Sequence, residues 1–138
     1  MRRSFQVSLW FLVLLGALPG RSSAQKVREI RVEADAGKEV YRFSPSRVTA
    51  KPGDVLLFKA VTGTPHSIVF ESRKLPGSAR EALNGAMSRR SGDLSSPLLA
   101  PDGAEYRITV PALPAGTYEF YCLPHRAYDE RGVLRITK

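Results

Sequence analysis

Apolar and polar residues alternate along much of the chain after residue 26, with the period of two that is typical of strands buried on one face. Ile30, Val32 and Ala34 show this alternation, and turn-forming residues such as those at positions 51–54 separate one segment from the next. The pattern predicts about seven strands, at residues 27–34, 48–50, 55–61, 66–70, 106–110, 117–122 and 133–137. Short strands that recur between turns are typical of an all-β sandwich.

Residues 72–104 depart from the strand pattern. Five apolar residues there recur at the spacing of one helix face: Ala79, Ala82, Leu83, Ala86 and Met87. We therefore expect a short helix, with Ser78 as its N-terminal cap, followed by a loop. Because a chain of 138 residues is too short for two separate cores, we interpret this stretch as an excursion between strands of a single domain.

The N terminus has the pattern of a secretory signal. Arg2 and Arg3 precede an apolar run at residues 9–18, and small residues lead up to Ala24. The run is about half as long as a membrane-spanning helix requires, so we expect cleavage after Ala24 and a mature, secreted or periplasmic domain of residues 25–138. The paired arginines also fit a twin-arginine signal, so both the general secretory route and the twin-arginine route stay open.

The mature domain is basic. The leader, residues 1–24, contains three arginines and no acidic residue, so its removal lowers the formal charge from +8 to +5. The charge is consistent with a solvated basic face, with attraction to an acidic partner protein, or with transient association with an anionic membrane surface. Nucleic acid is disfavoured as a partner because the basic residues are scattered singly.

Cys122 is the only cysteine, which is unusual for an exported domain because such domains carry cysteines in pairs for disulfides. The thiol is therefore buried and inert, linked to another chain, or occupied by chemistry such as metal ligation. His125 follows three residues later, and His66 begins a predicted strand. Taken singly, each has an ordinary structural explanation, but together one thiol and two imidazoles favour a site for copper or zinc.

Three motifs carry a resemblance to a known family. They are residues 51–55 (KPGDV) with Ser44-Pro45 before them, residues 65–70 (PHSIVF), and residues 114–125 (PAGTYEFYCLPH), of which the last is the most specific. In these motifs the sequence resembles the cupredoxin family, in particular its plastocyanin, pseudoazurin and amicyanin branch. The resemblance covers nearly the whole mature chain.

The resemblance implies a Greek-key β-sandwich that holds one copper ion. His66, Cys122 and His125 would be its three equatorial ligands, and the ion would cycle between Cu(II) and Cu(I). It further implies a monomeric electron carrier that exchanges electrons with redox partner proteins. His125 would then be the port for the electron, and Arg73, Arg126 and Arg131 would dock an acidic partner.

The sequence departs from the family at the fourth ligand. Related loops continue to a methionine, and in this chain Glu130 stands at that place. Three roles stay open for Glu130: it ligates the metal axially, it forms a hydrogen bond near the copper, or it faces solvent. An anionic oxygen ligand would stabilise Cu(II) over Cu(I) and lower the reduction potential. Tyr128 and the carbonyl of Pro65 are weaker candidates for the same place.

Other classes of function fit the residues less well. A copper delivery protein would use a site rich in methionine and histidine, whereas this chain has two histidines and only Met87 after the leader. A closed zinc site formed by His66, Cys122, His125 and Glu130 is a third interpretation, since zinc accepts these donors tetrahedrally. We expect no enzymatic activity, because the chain lacks a Ser/His/Asp set and a second copper cluster.

Overall fold

A computed structural model describes residues 24–62, 64–100 and 102–138 of the chain. Within these ranges the chain forms eight strands, one α-helix and one 3-10 turn. The predicted leader lies outside the described residues, except for Ala24. No helix of the described ranges is long and apolar enough to cross a membrane.

The strands form two four-stranded sheets. In chain order they are β1 (Val27–Asp35), β2 (Val40–Ser44), β3 (Arg47–Ala50), β4 (Val55–Ala60), β5 (Val69–Phe70), β6 (Glu105–Thr109), β7 (Gly116–Tyr121) and β8 (Arg131–Ile136). The first sheet has the order β2-β1-β4-β6 and the second has the order β3-β8-β7-β5. Strands β1 and β4 run parallel, as do β3 and β8, and the other pairs are antiparallel.

The core lies between the two sheets, where every second residue of each strand points inward. Four phenylalanines meet at its centre in edge-to-face contacts: Phe43, Phe58, Phe70 and Phe120. Phe43 and Phe58 come from the first sheet, whereas Phe120 comes from the second. Because aromatic rings bury large areas, these contacts help to hold the two sheets together.

The prediction of an all-β sandwich is confirmed, with eight strands where the pattern indicates about seven. The additional strand is β2, in which only Phe43 is fully buried, so its sequence gives a weak alternating signal. Residues 66–70 form a shorter strand than predicted. Only Val69–Phe70 is strand, and His66 instead makes an isolated bridge with Leu99 from the excursion.

The excursion contains the predicted helix, α1 (Gly77–Ala86), which buries Ala79 and Leu83. The prediction that Ser78 caps this helix is wrong. The cap position is Pro76, with φ −58° and ψ 147°, and no side chain caps the helix because the proline ring has no hydrogen-bonding group. The loop after α1 packs on the sandwich, where the hydroxyl of Tyr106 donates to the carbonyl of Ser88 at 2.7 Å.

Candidate metal centre

Four side chains capable of binding a metal meet at one end of the sandwich: His66, Cys122, His125 and Glu130. Their candidate ligand atoms all lie within 4.8 Å of one another. All four are buried, and His66, Cys122 and Glu130 are 0% exposed. The structure thus brings together the four residues that the sequence singles out.

His66 is held through its own main chain, which pairs with Leu99. Its main-chain N–H donates to the carbonyl of Leu99 at 3.1 Å, and the main-chain N–H of Leu99 donates back to the carbonyl of His66 at 2.7 Å. The hydroxyl of Thr62 lies 3.4 Å from Nε2. With Nε2 occupied in this way, Nδ1 faces the centre, 4.0 Å from the sulfur of Cys122.

Cys122 follows the last residue of β7 and is tied to both of its neighbouring segments. Its N–H donates to the carbonyl of Glu130 at 3.0 Å, which places these two residues opposite each other. The N–H of Ser67 donates to the sulfur at 3.4 Å, and the hydroxyl of Ser67 accepts the N–H of Leu123 at 3.0 Å. Ser67 therefore connects the segment that carries His66 to the loop that carries Cys122.

His125 lies in the loop between β7 and β8, at the start of the 3-10 turn Arg126–Tyr128. Its Nδ1 is 2.8 Å from Oε2 of Glu130 and 3.4 Å from the sulfur of Cys122. The ring of Tyr41, from β2, stacks on the imidazole with a centroid distance of 4.0 Å and an interplanar angle of 20°. His125 is consequently only 6% exposed and does not present an open imidazole face to solvent.

Without a cation, a negative charge on the buried acidic groups of the centre is unfavourable. Burial raises the pKa of Cys122 to about 12, and the charge of Glu130 adds to that shift. Oε1 of Glu130 lies 3.4 Å from Nδ1 of His66 but accepts no hydrogen bond within the described residues. A buried carboxylate beside a buried sulfur is costly unless a cation compensates it.

A metal cation fits this arrangement. It would compensate both the carboxylate and the thiolate, and it would give the unpartnered Oε1 atom a ligand role. Two imidazole nitrogens, one sulfur and one oxygen are donors that copper and zinc accept. Tyr128, the weaker candidate for the fourth ligand, is instead 45% exposed, and its ring packs on Tyr41.

Some residues of the centre have no clear signal in the sequence. Tyr41 reaches His125 from the opposite sheet, so only the folded chain shows the contact. Thr62 is likewise an unremarkable turn residue. Ser67 could have been suspected from its place next to His66, because a buried serine beside a ligand requires a hydrogen-bond partner.

Comparison with known proteins also points to copper binding. The sequence model of a family described as copper binding proteins, plastocyanin/azurin family, matches residues 29–137. A plastocyanin A/B from Petroselinum crispum is 32% identical over 115 residues, which cover 78% of this chain and 98% of that protein. A plastocyanin from Nostoc punctiforme is 28% identical over 137 residues, which cover 99% and 94%.

Solved structures show the same similarity. The oxidised form of plastocyanin from Dryopteris crassirhizoma superposes with a TM-score of 0.64 at 28% identity, covering 80% of this chain and 100% of that one. An amicyanin variant in its reduced form superposes with a TM-score of 0.55 at 19% identity, covering 84% and 87%. At that identity the amicyanin supports the fold alone.

Proposed function

Because this chain belongs to the plastocyanin/azurin family of copper-binding proteins, we propose that it is an exported electron carrier with copper at the buried centre. The proposed ligands are His66, Cys122, His125 and Glu130. The observation that carries the proposal is the convergence of four buried donor atoms within 4.8 Å, one of them a carboxylate oxygen without a hydrogen bond.

Bound copper would supply a one-electron couple between Cu(II) and Cu(I). The chain contributes rigidity, because Cys122 and Glu130 are paired through their backbones and Ser67 joins the loop of Cys122 to His66. Rigid donors move little between oxidation states, which lowers the reorganisation that each electron requires. Burial of all four donor side chains also keeps water away from them.

Glu130 is proposed as the fourth ligand. Its Oε1 and Oε2 atoms lie 3.4 Å from His66 and 2.8 Å from His125, inside the donor group. The Glu130 carboxylate and the Cys122 thiolate would carry one negative charge each. These two charges would balance Cu(II) and would leave one negative charge in excess beside Cu(I). We therefore expect a reduction potential lower than that of a site with a neutral methionine in this place.

An acidic redox protein is the proposed partner. Arg126 and Arg131 both lie over the ring of Tyr121, at 4.9 and 5.7 Å, and Tyr121 directly precedes Cys122. Arg131 is paired with Asp129, and Arg73 is paired with Glu71 at 3.8 Å. Of these three arginines, Arg126 is the one that forms no ion pair within the described residues. Association with an acidic protein should accordingly slow down as salt is added.

Copper reconstitution tests the proposal directly. We expect purified wild type to take up one Cu(II) ion with an intense visible band and an EPR signal of a copper thiolate, and we expect Cys122→Ala to lack the band. Ser78→Ala, which removes an exposed hydroxyl of α1 that forms no cap hydrogen bond, serves as the control and should retain it. Wild type that stays colourless after Cu(II) and an oxidant, or that holds zinc instead, would contradict the copper carrier.

Export has a separate test. The arginine pair, the apolar run and the small residues before Gln25 support a cleaved leader. Mass spectrometry of protein isolated from the periplasm or the medium should give the mass of residues 25–138. An intact N terminus, or protein that stays in the cytoplasm, would contradict export without affecting the copper centre.

A further inference from the structure

His125 is held differently on its two sides. The edge that carries Nδ1 faces polar groups, namely Glu130 at 2.8 Å and Cys122 at 3.4 Å. The ring of His66 meets it edge-on, with centroids 5.0 Å apart and an interplanar angle of 67°. The face of the imidazole is in contact with Tyr41, whose ring lies nearly parallel at 4.0 Å.

The polar contacts by themselves leave the imidazole one freedom of movement. They fix the position of Nδ1, but the ring can still tilt about that atom. The backbone does not prevent this, because His125 lies outside any strand, with φ −112° and ψ 24°, at the start of a 3-10 turn. A flat partner against the ring face blocks the tilt, since aromatic rings that stack keep their planes roughly aligned.

Tyr41 is well placed for this role because it belongs to the other sheet. It lies on β2 opposite Ala34 of β1, whereas His125 belongs to the loop between β7 and β8. The stack therefore connects the ligand loop to a strand that supplies no ligand. Within the described residues the hydroxyl of Tyr41 makes no hydrogen bond, so the contact depends on the ring.

A second tyrosine supports the first. The rings of Tyr41 and Tyr128 are 4.6 Å apart at their centroids. Tyr128 belongs to the same turn as His125, and its N–H donates to the carbonyl of His125 at 3.0 Å. The turn thus presents His125 and Tyr128 to one ring of the opposite sheet, and Tyr128 remains 45% exposed on the outer side.

We propose that Tyr41 is a positioning residue for His125, holding the imidazole plane by a ring stack from the opposite sheet. The role of His125 as a copper ligand rests on the proposed function, whereas the stack itself is a property of the protein without metal. Tyr128 is an outer support and contributes less.

NMR of the histidine rings in the metal-free protein tests the stack independently of copper. The chain has two histidines, so His66 is an internal control for His125. We expect sharp ring signals for both in wild type, Tyr41→Phe and Tyr128→Leu. In Tyr41→Leu, which keeps an apolar side chain but loses the flat ring, the signals of His125 should broaden or split while those of His66 stay unchanged.

Release of Cu(II) to EDTA, followed by loss of the visible band, measures the consequence for the metal. A ring stack of ordinary strength predicts release from Tyr41→Leu roughly 2- to 10-fold faster than from wild type. Tyr41→Phe should match wild type.

Four results would overturn the proposal. Sharp His125 signals in Tyr41→Leu would show that the stack does not orient the ring, and equal broadening in Tyr41→Phe would assign the effect to the hydroxyl. Changes at His66 as large as those at His125, or equal effects of Tyr128→Leu, would show general loosening in place of positioning. Failure of copper to bind wild type would contradict the proposed function and leave the NMR result standing.

Discussion

The carboxylate oxygen Oε2 of Glu130 lies 2.8 Å from Nδ1 of His125, inside a buried group that also contains the sulfur of Cys122. In this position the carboxylate would act on a bound metal by its charge as well as by any bond that it forms. Two substitutions separate these effects. Glu130→Gln removes the charge and keeps an oxygen donor, whereas Glu130→Met also replaces the donor.

We expect both Glu130 variants to raise the reduction potential, by about 100 mV, because a nearby negative charge no longer favours Cu(II) over Cu(I). Glu130→Met should also change the EPR spectrum more than Glu130→Gln does. Potentiometry and EPR measure these effects. Glu119→Gln, which neutralises an exposed carboxylate on β7, is the control and should shift the potential little. Unchanged potentials in both Glu130 variants would exclude the carboxylate from the centre.

Ser67→Ala should destabilise the fold without removing the copper band. The hydroxyl of Ser67 accepts the N–H of Leu123, and its loss leaves that donor without a partner, at a cost of ~1–2 kcal/mol. The N–H that reaches Cys122 belongs to the backbone and is kept. Denaturant unfolding of the metal-free protein measures the loss of stability, and the visible spectrum of the copper-loaded protein shows whether the band is kept. Stability equal to wild type would show that the hydroxyl does not couple the two ligand segments.

Gly132→Ala should be strongly destabilising. A Cβ atom at this position of β8 would overlap the buried ring of Phe120, which cannot move away from the other core phenylalanines. We expect a loss of about 1–3 kcal/mol in the free energy of unfolding. Gly85→Ala is the matched control, because it lies inside α1 with open space around it and should stabilise by about 0.5–1 kcal/mol. Similar effects of the two substitutions would contradict this account of the core.

Asp54 should make the free energy of unfolding depend on pH. It lies at the end of the sandwich where β1 and β4 begin. Burial by itself would raise the pKa of Asp54, but N–H groups of Lys51 and Lys26 and the charge of Arg28 lower the pKa below its usual value. Since the folded-state pKa lies below the unfolded one of about 4, the stabilisation is complete above that pH. It is lost as pH falls through the folded-state pKa.

Asp54→Asn should therefore unfold more easily than wild type at pH 7, by ~1–2 kcal/mol, and the difference should shrink toward pH 3. Urea unfolding of both proteins at several pH values measures it. A difference that stays constant with pH would mean that the ionised carboxylate is not the stabilising form.

Much of the fold follows from local pattern. Alternation at residues such as Ile30 and Val32 indicates which face of a strand is buried, and enough such strands imply a sandwich. The pattern is weaker where burial is incomplete, as in β2, and it misplaces the cap of α1, because Ser78 suits a cap by its chemistry while Pro76 suits it by its backbone angle.

The sequence by itself determined which donor groups are available for a metal. The chain has a single cysteine, two histidines and a glutamate where related loops have a methionine. Because it has few other sulfur or imidazole donors, these residues restrict the chemistry to a few metals. Tertiary structure decided their environment. It buried Glu130 inside the donor group, and it covered His125 with Tyr41 from the opposite sheet. Contacts between distant segments depend on how two sheets pack, and no spacing along the chain encodes that.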